Sequence, residues 1–190
     1  LVYAYLQQGR DEEARQQVAY VDSMTEVFPN SLVDAYSFAA VPARYAVERK
    51  DWKAAANLEL KPANFPWEKF QWEQSNFHFG RLLGNVNLNN LNEANKELET
   101  LKAIHSKLSD QKRAYEANQV LIQIKAAEGC IQFAQGKKKE AVASMIASAE
   151  MEDATEKHPV TPGEIIPARE LLGDLYMKMG DHAKALEAYQ

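Results

Sequence analysis

The 190-residue chain predicts an all-α protein, a row of about five antiparallel helix pairs, on three observations. A short pattern returns along it: an apolar helix, a break at glycine or a substitute for glycine, and an alanine five residues past the break. No stretch alternates apolar and polar residues as a half-buried strand would. The prolines mostly fall between the pairs, where they suit a first turn and spare the helix interiors they would break.

The pattern reads Leu1, Tyr5, Gly9, Ala14 in its first copy and Leu172, Gly173, Tyr176, Gly180, Ala185, Tyr189 in its last. Three looser copies lie between, with breaks at Lys50, Asn89 and Gly136 and small residues at Ala55, Ala94 and Ala141. Glycine ends a helix because it takes the left-handed conformation that a β-carbon penalises. Asparagine tolerates that conformation, and Lys50 departs from the rule. The recurring alanine marks a close crossing of two helices, where a bulkier side chain would overpack by about 1 to 3 kcal/mol.

The 3.6-residue period then places the pairs at 1–8 with 11–27, 32–49 with 51–60, 66–88 with 91–108, 111–135 with 137–157, and 166–179 with 181–190. Pro29, Pro62 and Pro66 separate early pairs, and Pro159, Pro162 and Pro167 flank Gly163 before the last. Pro42 sits inside a helical stretch, which predicts a kink or a short break. The helix from Pro66 carries two apolar stripes: Trp67, Phe70, Gln74, Phe77, Arg81 on one face and Trp72, Asn76, Phe79, Leu83, Val86 on another. A helix apolar on two sides is flanked on two sides, as in a stack whose interior is shared only between adjacent pairs. The pattern runs from 1 to 190 as a single helical repeat domain. Both ends fall inside it, as expected for a segment of a longer chain.

The residues Leu172, Gly173, Tyr176, Gly180, Ala185 and Tyr189 resemble the tetratricopeptide-repeat consensus at its most characteristic positions. The stretch from Glu156 through His158, Pro159, Thr161 and Gly163, followed by Pro167, Ala168, Arg169, Glu170, Leu171, Leu172, Gly173 and Asp174, is similar to a block in uncharacterised bacterial tetratricopeptide-repeat proteins. The resemblance implies a right-handed superhelix of helical hairpins with a concave groove that binds peptides or partner proteins. The chain's longer, irregular period departs from the repeat's usual length of about 34 residues. Some members of that fold clamp a peptide's terminal carboxylate with a set of Lys, Asn and Arg residues, and the full set does not map here.

The formal net charge of -5 disfavours a general nucleic-acid binder, whose affinity rests on clustered Lys and Arg. The single cysteine, Cys130, forms no internal disulfide and supplies no multi-thiolate metal site. No apolar run approaches the roughly 18 to 20 residues that would insert this segment in a membrane. There is no Gly-rich phosphate loop, nucleophile elbow or spaced metal-ligand motif, so the sequence recommends neither an enzyme nor a cofactor.

The polar residues Arg44, Glu48, His78, Arg81, Asn118, Gln119, Arg169 and Glu170 lie on first helices of pairs, which line the inner wall in this architecture. They are the candidate groove for a protein or peptide ligand, with solvation or bonding to neighbouring helices as the plain alternative. His158 and Thr161 are loop candidates, on a proline-stiffened connection of the kind that carries contacts on rigid scaffolds. Glu152, Asp153 and Glu156 beside His158 invite a metal reading, but no paired-ligand spacing supports it. The expected function is a non-catalytic protein- or peptide-binding scaffold. A structural or self-association module that positions another domain is the alternative, which leaves a homo-oligomer open.

Overall fold

The computed structural model describes residues 1–157 and 164–190. Among the described residues there are ten α-helices and no strand: α1 (Val2–Gln7), α2 (Asp11–Asp22), α3 (Leu32–Glu48), α4 (Trp52–Ala56), α5 (Gln71–Asn87), α6 (Leu91–Asp110), α7 (Ala114–Ala134), α8 (Lys138–Asp153), α9 (Ala168–Met179) and α10 (His182–Tyr189). They pair in chain order, α1 with α2 through α9 with α10, and the first helices α3, α5, α7 and α9 also pack on one another in succession. This is a tetratricopeptide-like helical repeat.

Six turns among the described residues share one backbone solution. At Gly9, Lys50, Asn89, Lys112, Gly136 and Gly180, φ lies between 53° and 79°. At the last of them the Gly180 N–H donates to the Met177 carbonyl at 3.1 Å and the Asp181 N–H to the Tyr176 carbonyl at 3.0 Å. Closing two orphan carbonyls in this way outweighs the penalty of about 1 to 2 kcal/mol that a β-carbon meets there, which is why Lys50 can stand where glycine would. Lys112 is a copy that the pattern search does not anticipate. It joins α6 to α7, between pairs, and Ala117 lies buried five residues beyond it.

The recurring Ala14, Ala55, Ala94, Ala141 and Ala185 are all at most 1% exposed. The crossings they make are close. A β-carbon on Gly84 would stand 2.8 Å from the Ala55 carbonyl carbon, so α5 and α4 touch backbone to backbone.

Several boundaries differ from expectation, with α7 starting at Ala114 and α8 stopping at Asp153 among them. Helix α2 stops at Asp22 and α4 at Ala56, where Asn57 Nδ2 donates to the Lys53 carbonyl at 2.8 Å and closes the last turn. Helix α5 begins at Gln71, after a 3-10 turn at Trp67–Lys69. Pro42 causes no break: α3 runs through it from Leu32 to Glu48. One lost backbone bond is offset by burial of Ala35, Ala39, Ala43 and Val47 along the helix, capped by a Ser31–Asp34 box.

The two stripes of α5 serve two cores. Phe77 joins Phe38, Phe65 and Trp67 in a small cluster with the α4–α5 connection. Trp72, Phe79, Leu83 and Val86 join the main cluster, which runs through α3 to α10.

That main cluster holds one surprise for a stack of adjacent pairs. Ile165 and Ile166, in the connection before α9, are buried in it beside residues of α3, α5 and α7. Arg44 on α3 donates to the backbone carbonyl of Glu164. Lys50 Nζ, in the turn within the second pair, lies 3.7 Å from Asp174 Oδ2 in the fifth, and Lys178 Nζ donates to Asn87 Oδ1 at 3.3 Å. The interior is therefore shared across the inner face as well as between neighbours. Removing two large apolar side chains from water, at about 1.5 to 3 kcal/mol each, accounts for the closure.

Candidate functional site

The inner face, built by α3, α5, α7 and α9, is divided in two by Ile165 and Ile166. On one side lies a small chamber, about 550 Å³ of empty space counting open solvent but only about 30 Å³ able to hold water, walled by Tyr36, Trp72, Tyr115, Asn76, Gln119 and Gln123. Its aromatic wall is contiguous: Trp72 meets Tyr36 at 6.4 Å and Tyr115 edge-on at 5.8 Å between ring centroids. Gln123 Nε2 donates to Asn76 Oδ1 at 3.0 Å, while Gln123 Oε1 is buried with no partner among the described residues.

The floor of this chamber is tied to α9. Glu152 accepts from the Ala168 N–H at 3.2 Å, and Lys157 Nζ lies 3.5 Å from Glu152 and 2.6 Å from Glu164. Burial, and then the nearby Glu164, raise the Glu152 pKa. An acid at a helix start also favours the α9 dipole.

On the other side lies a larger chamber, with about 1250 Å³ of empty space counting the solvent at its mouth. Its walls are apolar: Val47, Trp52, Leu83, Val86, Phe133, Met145, Ile166, Leu171 and Leu175. Its polar residues are Glu48, Lys50, Asn87, Glu170, Asp174 and Lys178. Burial raises the pKa of Glu48, with Glu170 adding to it, and burial and then Asp174 raise that of Glu170. Cys130 borders this chamber, its thiol pushed up to about 11 by burial, far from a nucleophile's range.

Of the residues singled out by sequence, Glu48 and Glu170 line the larger chamber, Gln119 lines the smaller one, and Arg44 is buried against Glu164. The others bond neighbouring elements. His78 Nδ1 lies 2.7 Å and Arg81 Nε 2.8 Å from the Glu97 carboxylate on α6, and Arg81 also reaches the Leu58 carbonyl at 3.4 Å. Asn118 Nδ2 donates to Thr155 Oγ1 at 2.8 Å, and Arg169 Nε to Asp153 Oδ2 at 2.9 Å. His158 and Thr161 lie outside the described residues.

Sequence reasoning passed over Gln123, Ile165 and Ile166, and named Asn76 only as part of a helix stripe. The adjacent isoleucines were a signal, since two large apolar residues in a proline-rich connection ask for a place to be buried.

Among the described residues no group of three or more His, Cys, Asp or Glu side chains is arranged to hold a metal ion. No described helix is long and apolar enough to cross a membrane.

A tetratricopeptide-repeat family model matches residues 166–190. The chain carries a tetratricopeptide repeat. The repeat begins at Ile166, the residue that divides the inner face, and comprises α9 and α10. Within it a β-carbon on Gly173 would run into the Tyr189 ring, which would have to move aside. No curated protein and no solved structure matches the chain significantly. The repeat and the helical fold together support a protein-interaction scaffold.

Proposed function

We propose that the chain is a non-catalytic scaffold that binds a peptide or protein segment on its inner face, in the open chamber between the second and last helix pairs. The observation that carries this reading is the chamber itself. It opens to solvent and is lined mainly by apolar side chains from several helices, with six polar residues among them, as small recognition sites are. In this reading Glu48 and Glu170 contact the ligand, Arg44 and Gln119 support the wall beside it, and His78, Arg81, Asn118 and Arg169 hold the hairpins that frame it.

Selection from a displayed peptide library, with amide exchange to map the site, tests the proposal. Binding peptides should protect α3, α5 and α9 and lose affinity in Val86→Trp, which fills the chamber. Binding that persists in Val86→Trp and protects other helices would refute it.

A self-association module is the second reading. It is favoured by apolar residues exposed at both ends of the stack: Leu1, Tyr20 and Phe28 at one, Met177, Leu186 and Tyr189 at the other. A mass in solution that rises with concentration, without peptide binding, would establish it in place of the first.

A further inference from the structure

Three amide side chains interrupt the aromatic wall of the smaller chamber: Asn76 on α5, and Gln119 and Gln123 on α7. Hydrogen bonds fix which way two of them are turned. Asn76 Nδ2 donates to the Glu73 carbonyl at 3.3 Å, so Asn76 Oδ1 faces Gln123 and accepts from its Nε2 at 3.0 Å. Exchanging the oxygen and nitrogen of Gln123 would set two acceptors against each other. Gln123 Oε1 therefore points away from Asn76, and it is buried with no donor among the described residues.

A buried carbonyl oxygen in that state is unfavourable, because the hydrogen bonds it made to solvent are lost and no protein group replaces them. The chamber that Gln123 lines keeps about 30 Å³ able to hold water. A single water needs roughly 10 to 15 Å³ on that measure and about two to four polar neighbours, whereas a wholly apolar void stays dry. An organic ligand, which takes about 300 Å³ or more, has no room. Gln119 lines the same space and is 8% exposed. It lies one helical turn before Gln123 on the same face of α7, and its amide offers both a donor and an acceptor.

We infer that the smaller chamber binds one ordered water, which donates to Gln123 Oε1 and is held on its other side by the Gln119 amide. The water completes a chain of hydrogen bonds that runs from the Glu73 carbonyl through Asn76 to Gln123 and Gln119, and so ties α5 to α7. Gln123 is the positioning residue of this tie, since the water holds its oxygen while its nitrogen reaches across to α5. The inference does not depend on the scaffold reading, which concerns the larger chamber.

Water-oxygen magnetic relaxation dispersion counts the waters that stay inside a protein for longer than it takes to tumble. The intact protein is compared with Gln123→Met and Gln119→Met, each of which keeps the length of the side chain and removes its amide, with circular dichroism to verify folding. Each variant should lose one long-lived water from the count. An unchanged count in either folded variant overturns the bridge.

A crystal structure of the wild type gives a second reading that needs no variant to fold. Water density should lie about 2.5 to 3.0 Å from Gln123 Oε1 and within hydrogen-bond distance of Gln119. A dry chamber, or Gln123 Oε1 bonded to a protein donor, would refute the inference.

Discussion

The two chambers of the inner face draw on the same four helices and differ in how they are closed. The smaller is nearly filled by the chain itself: Ile165 packs into its wall, and Glu152, Lys157 and Glu164 fasten the connection that brings Ile165 there. The larger keeps about 380 Å³ of free space, with Glu48 and Glu170 among its lining residues. In a repeat stack the inner groove is usually the functional surface, yet here part of it has become core. A loop between repeats has converted a shared groove into one structural half and one exposed half.

The largest test of that contrast lies at the seal. Ile165→Ala should destabilise the protein by about 2 to 5 kcal/mol, because a fully buried isoleucine is truncated inside a packed core. A thermal melt should fall by roughly 5 to 15 °C, at about 2 to 4 °C per kcal/mol for a chain of this size. A linker residue lying on the surface would change the melt hardly at all.

Next comes the close crossing that frames the open chamber. Gly84→Ala should cost about 1 to 3 kcal/mol, since its new methyl group meets the backbone of α4 and neither helix can yield freely. Gly136→Ala, where the turn is open but φ is +78°, should cost about 1 kcal/mol through backbone strain alone. Urea titration of both variants gives the order, and a reversal would mean that α4 does not sit tightly on α5.

A smaller effect separates the carboxylates by pH. Glu152 has a folded pKa above its ordinary value of 4.5, so between those two values the folded state holds more protons than the unfolded state. Its contribution to stability is greatest below 4.5 and declines as pH rises through the folded pKa. Glu152→Gln should therefore gain on the wild type as pH is raised above 4.5 in a series of melts. A difference that is flat across that range would contradict the burial assigned to this group.

The smallest expected effect is on the open side. Glu48→Gln/Glu170→Gln should leave stability within about 0.5 kcal/mol of the wild type, since both groups are partly exposed and unpaired. A loss of several kcal/mol would make them structural, like the polar groups of the sealed chamber.

Much of the fold was readable without coordinates. The breaks at Gly9, Asn89, Gly136 and Gly180 and the alanines beyond them announce tight turns and close crossings, because few residues suit either position. Lys112 gives no such announcement, since nothing in a lysine signals a left-handed turn and only Ala117 beyond it repeats the rule. Pro42 misled in the opposite direction, because a helix held by burial on several sides tolerates one missing hydrogen bond.

The site was legible only in part, for a geometric reason. Belonging to a first helix does not say which way a side chain points, and adjacent residues differ by about 100° around the axis. Gln119 faces the closed chamber while Asn118 reaches Thr155. Arg81 shares its stripe with Phe77, on the side of the smaller core, and that periodicity already set it apart from Leu83 and Val86. The division of the inner face depends on a contact between distant parts of the chain, Arg44 with Glu164, which local patterns do not encode.

The burial of Ile165 is tested most directly by thiol accessibility. In a Cys130→Ser background, Ile165→Cys should be alkylated under native conditions only at the rate of global unfolding, while Phe28→Cys, at a position 93% exposed, reacts at once. Equal and rapid modification of the two would show that the connection does not dock, and the divided inner face would be lost with it.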